Sequence, residues 1–445
     1  MSNKFYFENY TIMIGQEIHQ LATQLWPICR SLTGNGVRET LTVLGEHLPG
    51  LKLYEVPTGS QVFDWTVPQE WNIIDAYIKD SNGKKIVDFN DSNLHVVGYS
   101  TPIHQTMSLE QLKPHLYSVP NQPDAIPYVT SYYSKHWGFC LTQTQLDSLS
   151  LGNYEVCIDS SLKDGHLTYG ELLLPGDSKQ EVLLSTYICH PSMANNELSG
   201  PTVTTFLAKW LMSLPKRKYS YRIVFIPENI GSIVYLSRHL EQMKVYTIAG
   251  FNITCIGDDR AYSFLPSRAG NTLSDLVAEH VLKYYAPDYV RYPFIKSGSD
   301  ERRYCSPGVD LPIASIMRSK YGCYPEYHTS LDDLSLITPQ GLEGGYEVLR
   351  RSLECIELNR YLKLTTTCEP QLGKKGLYPN LSNMQESYDK TADMLNLITY
   401  SDGSRSLVEI ANIIDAPVWS LYDIVNQLIA HGILIDNDSA YKVTS

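Results

Sequence analysis

The sequence predicts an α/β protein whose core is a mostly parallel, doubly wound sheet, with an inserted mostly β domain and a C-terminal winged helix. From residue 168 on, β-prone apolar runs alternate with segments whose apolar residues recur at helical spacing. Strands separated by helices are typical of a mostly parallel sheet. Residues 60–155 instead hold short strand-like runs with frequent proline, and residues 383–445 predict three helices and a terminal hairpin.

Composition and charge narrow the class of protein. A chain of 445 residues is too long for one ordinary core, and 43% hydrophobic with 19% charged residues is typical of globular domains. The net charge of −12 argues against nucleic acid and anionic membranes as partners. No apolar run approaches the roughly 18–20 residues that a membrane helix needs. The N-terminal residues are acidic where a signal peptide needs an apolar core, and nine cysteines without C-x-x-C spacing favour free thiols. We therefore expect a cytoplasmic protein.

The predicted α/β core has two parts, residues 1–59 and 156–363, separated by the inserted domain at 60–155. In the first part, helices are predicted within 10–30 and at 37–47, followed by a strand at 51–56. In the second part, the predicted strands are 170–176, 181–188, 221–226, 246–257 and 311–317, and the predicted helices are 200–214, 233–243, 272–285 and 339–361.

The C-terminal region is predicted to be a winged-helix-like domain, residues 383–445, after a linker at 364–382. Its helices are expected near 384–398, 406–413 and 417–431, with a hairpin at 433–443. DNA binding is opposed by charge, because residues 391–445 hold only Arg405 and Lys442 against seven acidic residues. We expect a packing or protein-contact role, and a homo-oligomer would form through this domain or through the insertion.

The stretch 181–200 predicts the centre of the site. Val182–Ile188 is an apolar run typical of a strand buried on both faces, and His190-Pro191 ends it. A polar loop, Ser192–Ser199, then leads into a helix. Ligands of open α/β sheets bind at the carboxyl ends of strands, where His190 lies. The alternative is a structural loop, because histidines cap loops and asparagine pairs are common in turns.

Polar clusters follow four successive predicted strands, and a further charged loop precedes residue 311. These clusters are His190 with Asn195–Glu197, Glu228 with Asn229, Asp258–Arg260, His328 with Asp332-Asp333, and the loop Asp300–Arg303. Two histidines with carboxylates are typical ligands of zinc, and a glutamate that is not a ligand could act as a general base.

Each of these residues also has a structural interpretation. Either histidine could simply be hydrogen-bonded in the core, and Glu228 could cap the following helix. Arg260 could bind a substrate carboxylate or pair with Asp258. Asp332 and Asp333 suit turn or capping positions, and Asp300–Arg303 could be a solvated charge run. Cys189 is either a nucleophile or, more in keeping with a buried strand end, a core residue.

Several stretches give the chain a specific resemblance. They are CHPSMANNELSGP, FIPENIGS, TCIGDD, SDERRYCSPG, PEYHTSLDDL and VPTGSQVFDWTVPQEW. With them the chain resembles the aminopeptidase-like family of bacterial proteins (DUF4910 type, with a DUF2172-type β insertion). That family combines a zinc-aminopeptidase core of the M28 peptidase type with the insertion and a C-terminal winged helix. The resemblance covers nearly the whole chain and implies the zinc-aminopeptidase fold.

The resemblance also implies roles for individual residues. His190 matches the first metal-binding histidine, His328 the last ligand and Glu228 the general base. Asn196 stands where the family pattern has an aspartate bridging two metals. Asn229 and Thr254 stand at two further carboxylate positions. Because amides are weaker ligands than carboxylates, we expect one zinc ion rather than two, with Glu197, Asp258 or Asp300 as a further ligand.

The function expected from this reading is an aminopeptidase-like hydrolase that acts on an amide next to a free amino group. His190, Asn196 and His328 would hold one zinc ion and Glu228 would activate water. Glu197, Arg260 and Asp300 would bind a small-molecule or peptide substrate. Two alternatives stay open: a metal-free pocket using Glu228 as acid or base, and a binding or transfer protein in polysaccharide or natural-product biosynthesis.

Overall fold

The computed structural model describes residues 4–377 and 384–437. The helices are α1 (Lys4–Leu25), α2 (Asn35–His47), α3 (Leu109–Leu112), α4 (Gln143–Asp147), α5 (Ser199–Ser213), α6 (Ile230–Tyr246), α7 (Leu273–Tyr285), α8 (Glu301–Tyr304), α9 (Pro339–Leu358), α10 (Met384–Tyr400), α11 (Leu407–Ile413) and α12 (Val418–Ala430). The chain forms two compact units, one made of the residues up to Gly270 with Val290–Glu347, the other of Asn271–Tyr289 with the residues from Val348 on.

Nineteen strands are present in the described residues. They are β1 (Lys52–Pro57), β2 (Gln61–Val62), β3 (Trp65–Thr66), β4 (Glu70–Lys79), β5 (Lys85–Asp88), β6 (Ile103–Ser108), β7 (Leu116–Tyr117), β8 (Phe139–Cys140), β9 (Asn153–Lys163), β10 (His166–Leu174), β11 (Glu181–Tyr187), β12 (Ser220–Ile226), β13 (Thr247–Asn252), β14 (Ser263–Leu265), β15 (Val290–Arg291), β16 (Ile313–Met317), β17 (Tyr361–Leu364), β18 (Asp402–Ser406) and β19 (Leu434–Asp436).

The first unit is built on an eight-stranded sheet with the order β1-β10-β12-β11-β13-β16-β14-β15. The four central strands, β12, β11, β13 and β16, run parallel to one another, and antiparallel pairs lie toward the edges. All seven residues of both β11 and β12 are buried, as expected for strands covered on both faces. The predicted α/β fold with a mostly parallel core sheet is confirmed.

Helix α5 lies close to this sheet because of a glycine. A Cβ atom on Gly200 would come within 2.5 Å of both the Ile253 carbonyl oxygen and the Thr186 hydroxyl. Ser199–Ala208 is buried without interruption, which fits a helix that is enclosed on all sides. Glycine thus lets the helix that follows His190 begin directly against the sheet.

The inserted region contains a four-stranded antiparallel sheet, order β5-β4-β9-β6. A short antiparallel hairpin, β2 with β3, and a short parallel pair, β7 with β8, accompany it. Strand β9 continues past residue 155, where we placed the end of the insertion, as far as Lys163. The change of pattern that we read as a boundary therefore falls within a strand.

The second unit contains α7, α10, α11 and α12 with a three-stranded antiparallel sheet, order β18-β17-β19. Its helices agree with the predicted ones within two residues. The first half of the predicted hairpin is β19, which pairs with β17; residues 438–443 lie outside the described residues. Helix α7, predicted as part of the core, belongs to this unit, where His280 on α7 contacts Asn412 on α11 at 2.6 Å.

Two further findings concern the whole described chain. None of its helices has both the length and the hydropathy needed to cross a bilayer. All nine cysteines are free.

An ion pair between α2 and β4 provides a test of how the insertion is held. Arg38 donates to both carboxylate oxygens of Glu70, at 2.5 and 3.1 Å, and this holds the pKa of Glu70 down at about 2. A lowered pKa stabilises the fold above the ordinary value of 4.5, and the contribution disappears as pH falls toward 2.

We therefore expect Arg38→Met to destabilise the protein by roughly 1 kcal/mol or less at neutral pH, since both side chains are partly exposed. Thermal melts should show the difference from wild type shrinking as the pH is lowered from about 5. A difference in Tm that is the same at every pH would contradict this assignment.

Candidate functional site

The site begins where β11 ends. The predicted polar loop after His190 contains one turn of π-helix, Ala194–Leu198, that runs directly into α5. Asp332 organises this turn, because its two carboxylate oxygens accept the backbone N–H groups of Asn195 (2.6 Å) and Asn196 (3.0 Å). The hydroxyl of Tyr324 donates to the same carboxylate at 2.9 Å. Asp332 therefore caps a turn, which is the structural interpretation that we kept for it.

His190 is held from behind by a buried carboxylate. Its Nδ1 lies 2.9 Å from Glu197 Oε2, and Arg30 Nε lies 3.2 Å from Glu197 Oε1. Arg30 also donates to the His190 backbone carbonyl at 2.9 Å. The side chains of Arg30 and Glu197 are fully buried. With Nδ1 engaged by Glu197, the Nε2 atom of His190 is directed to the other side of the ring.

Burial controls the protonation of this group. It lowers the pKa of His190 to about 3, with a further contribution from the positive charge of Arg30. Burial raises the pKa of Glu197, while the positive charge of Arg30 and backbone hydrogen bonds from His190 and Cys189 act in the opposite direction and favour the carboxylate. His190 is therefore a neutral imidazole throughout the physiological range, as a metal ligand must be.

His328 lies next to His190, with ring centroids 5.6 Å apart. Its Nε2 atom is buried and has no hydrogen-bond partner among the described residues. Burial lowers its pKa to about 3 as well, and proximity to His190 adds to the effect. Asn196 contributes a second such atom, because its Oδ1 is buried without a partner while its Nδ2 donates to the Tyr187 hydroxyl at 2.8 Å.

Glu228 follows β12 and faces the same histidine. Its Oε2 lies 3.7 Å from His190 Nε2, and its Oε1 accepts a 2.6 Å hydrogen bond from Ser299. Burial raises the pKa of Glu228 to about 8, and the negative charge of Asp300 adds to the rise. The side chain is nevertheless 17% exposed, so that it can be reached from solvent.

Asp300 lies one step behind Glu228. It accepts the backbone N–H of Asn229 and the hydroxyl of Ser232, both at 2.8 Å, and so caps the start of α6. Its second oxygen, Oδ2, is buried without a partner among the described residues, and burial raises its pKa to about 6. Asn229 itself has a positive φ of 63°, a strained conformation for a residue other than glycine.

The other predicted positions make different contacts. Arg260 forms a bidentate ion pair with Glu326 (2.9 Å for each bond) rather than with the side chain of Asp258. Asp258 accepts hydrogen bonds on both oxygens from Asn195 and Ser319.

Thr254 stands where the family pattern has a carboxylate ligand, and its hydroxyl is already hydrogen-bonded within the protein. Its hydroxyl contacts that of Tyr187 at 2.6 Å and the Asn196 carbonyl at 3.2 Å.

The structure thus brings together His190, Glu197, Glu228 and His328, with Asn196 beside them and Asp300 adjoining. Sequence reasoning missed four contributors: Arg30, Tyr187, Ser299 and Tyr128, whose ring centroid lies 5.1 Å from that of each histidine. Tyr187 and Ser299 lie close in sequence to the predicted site residues His190 and Asp300, so their place in the site could have been predicted from the sequence. Arg30 lies 160 residues from His190 and carried no signal of its partner.

Two sides of the His190 ring could receive a metal ion. Behind it, Cys189, His190 and Glu197 have ligand atoms within 4.8 Å of one another. However, Arg30 already neutralises Glu197 there, and burial raises the pKa of the Cys189 thiol well above its ordinary value. The other set, here called the front set, consists of His190 Nε2, His328 Nε2 and Asn196 Oδ1; the last two are buried without a partner among the described residues, and the two imidazole centroids are 5.6 Å apart. Two neutral imidazoles and a carbonyl oxygen suit a zinc ion, so the front set fits better.

Comparisons with known proteins agree with this architecture. A Clostridium acetobutylicum protein, whose name refers to polysaccharide biosynthesis and an aminopeptidase-like domain, is 48% identical over 399 residues, 89% of this chain and 91% of its own length. A crystal structure from the same species, of a protein whose name refers to a peptidase, has a TM-score of 0.91 at 44% identity. It covers 97% of this chain and 98% of that one.

More distant structures share the fold alone. BSAP, a zinc aminopeptidase from Bacillus subtilis, has a TM-score of 0.56 at 12% identity, over 76% of this chain and 94% of its own. The family described as "Domain of unknown function (DUF4910)" matches residues 19–359, and a winged helix-turn-helix family matches residues 359–436. The predicted family is confirmed: this chain belongs to the DUF4910 family, has an aminopeptidase-like α/β fold and contains a winged helix-turn-helix region.

Proposed function

We propose that the crevice at His190 is the active site of a hydrolase that uses one zinc ion and cleaves an amide next to a free amino group. The observation that carries this proposal is the position of Glu228, 3.7 Å from the free Nε2 atom of a neutral histidine. His190, His328 and Asn196 would hold the ion through His190 Nε2, His328 Nε2 and Asn196 Oδ1. Zinc bound there would polarise the substrate carbonyl group and lower the pKa of a water molecule.

The residues of the chain have complementary tasks in this proposal. Glu197 accepts the Nδ1–H group of His190 and so keeps Nε2 unprotonated, an arrangement common among metal-binding histidines. Asn196 is neutral and there is no bridging carboxylate at its position, which supports one ion rather than two. We predicted that Glu197 binds substrate. Because the Glu197 side chain is fully buried, it would affect the substrate only by orienting His190.

Glu228 would act as the general base. A glutamate whose pKa is raised by burial is a stronger base than an exposed one, and it can return the proton to the leaving amine. Ser299 donates to Oε1 and leaves Oε2 as the oxygen that takes up the proton.

Two acidic groups, Glu228 and Asp300, would favour a positively charged amino group on the substrate. Arg260 is about half exposed and would contact the carboxylate end of a substrate only if its pair with Glu326 opens.

The nine free thiols are typical of a reducing compartment, which supports a cytoplasmic location.

A second candidate is a binding or transfer protein that uses the same crevice without hydrolysis. The name of the 48% identical relative, which refers to polysaccharide biosynthesis, favours it. Such a protein would need no metal ion and no general base.

Metal analysis separates the two candidates. We expect wild type purified without chelator to hold one zinc ion per chain, and the His190→Ala/His328→Ala variant to hold none while keeping its fold by circular dichroism. Absence of zinc from wild type, even after dialysis against zinc, would refute the hydrolase and favour the binding protein. A positive result would justify a screen of aminoacyl amide substrates.

A further inference from the structure

The inserted domain reaches into the site through one short segment, Ile126–Tyr128. This segment pairs with His328–Ser330 in an antiparallel bridge between Pro127 and Thr329. Tyr128 N–H donates to the His328 carbonyl at 2.9 Å, and Ser330 N–H donates to the Ile126 carbonyl at 2.8 Å. The Ser330 hydroxyl accepts the Ile126 N–H at 3.0 Å. The loop that carries His328 is thus tied to the insertion by its backbone.

The Tyr128 ring lies against both imidazoles. Its centroid is 5.1 Å from that of His190 and 5.1 Å from that of His328, with interplanar angles of 62° and 89°. Its hydroxyl is engaged elsewhere, in a short hydrogen bond with the Tyr132 hydroxyl. The contact with the histidines is therefore made by the ring and does not involve the hydroxyl.

The two histidines differ in what orients them. His190 has a carboxylate behind it at 2.9 Å, whereas the Nε2 atom of His328 has no partner among the described residues. The His328 ring instead stacks on Tyr327, with centroids 3.9 Å apart, and lies perpendicular to the ring of Tyr128. Its backbone has a positive φ of 58°, which costs energy for a residue with a side chain and must be maintained by its surroundings.

We propose that Tyr128, contributed by the inserted domain, is a positioning residue that sets the relative orientation of the His190 and His328 imidazoles. The inserted domain then completes the metal-binding pair rather than only packing beside it. This inference rests on the proposed function, in which the two histidines are the ligands.

The test compares four proteins: wild type, Tyr128→Ala, Tyr128→Phe and a control, Tyr154→Ala. Tyr154 is a buried tyrosine of the same inserted domain, 4% exposed, whose hydroxyl bonds to the Ser150 carbonyl. Zinc affinity is measured by competition with a chelating dye, and the visible absorption of the Co²⁺-loaded protein reports the ligand geometry. Thermal melts record stability separately.

We expect Tyr128→Ala to weaken zinc binding by about 10-fold to 100-fold, the range seen when support behind a metal ligand is lost, and to shift the Co²⁺ bands. Tyr128→Phe keeps the ring and should retain both the affinity and the spectrum. Tyr154→Ala should lower Tm with zinc affinity unchanged. If Tyr128→Ala does not fold, Tyr128→Leu fills the space without an aromatic edge and should still shift the bands.

Two results would overturn the inference, and they are distinguishable. Wild-type affinity and spectrum in Tyr128→Ala or Tyr128→Leu would refute the positioning role while leaving the zinc site in place. Failure of wild type itself to bind zinc or Co²⁺ would refute the proposed function and this inference together.

Discussion

Glu228→Gln is expected to lower kcat for aminoacyl amide hydrolysis by about 10²-fold to 10⁴-fold, the usual contribution of a general base. Glutamine has nearly the same shape and keeps a carbonyl oxygen that can accept the 2.6 Å hydrogen bond from Ser299. It cannot, however, take up a proton at the position that faces His190 Nε2. The fold and the zinc content should therefore be those of wild type.

The measurement combines initial rates, zinc analysis and thermal melts on the same preparations. Glu241→Gln is a suitable control, because it makes the same substitution at an exposed position of α6, the helix that follows Glu228. Turnover within a few-fold of wild type in Glu228→Gln would exclude the general-base role. Loss of zinc in that variant would instead make Glu228 a ligand.

The fold was largely predictable because its signals are local. The buried run of β11 and the helical spacing of α5, α6 and α12 depend on neighbouring residues alone. The π-helical turn at Ala194–Leu198 was not predictable, since it depends on Asp332 accepting backbone N–H groups from a segment 137 residues away. Strands β14 and β15 are too short for an alternating pattern to stand out, at three and two residues.

The residues of the candidate site likewise fall into those that local sequence patterns indicate and those that depend on tertiary contacts. His190, Glu228 and His328 follow strands or carry a family motif, so the residue pattern pointed to them. Arg260 was predicted to bind substrate or pair with Asp258, yet its partner is Glu326, because that choice depends on how two loops meet. Tyr128 lies in a proline-rich stretch of the insertion and comes to the histidines only through a tertiary bridge between two loops.

Arg30→Met is expected to destabilise the first unit by about 3–5 kcal/mol, the usual effect of removing one partner of a buried ion pair. Neither side chain of the Arg30–Glu197 pair is exposed, so no water compensates the Glu197 carboxylate once the guanidinium is gone. The change also removes donors to the carbonyl oxygens of His190 and Leu25, both at 2.9 Å. Urea unfolding of the zinc-free protein, followed by tryptophan fluorescence, measures the loss; a change below about 1 kcal/mol would contradict the prediction.

The double variant Arg30→Met/Glu197→Gln separates stability from function. Removing both charges of a buried pair is often neutral, so the double variant should recover most of the stability lost in Arg30→Met. Its zinc affinity should nevertheless stay about 10-fold to 100-fold below wild type, because a glutamine is a weaker acceptor than a carboxylate for the Nδ1–H group of His190. Recovery of both properties would mean that the buried pair serves the fold alone. Recovery of stability without recovery of zinc affinity would mean that the buried Arg30–Glu197 pair is needed to orient His190 and not to stabilise the fold.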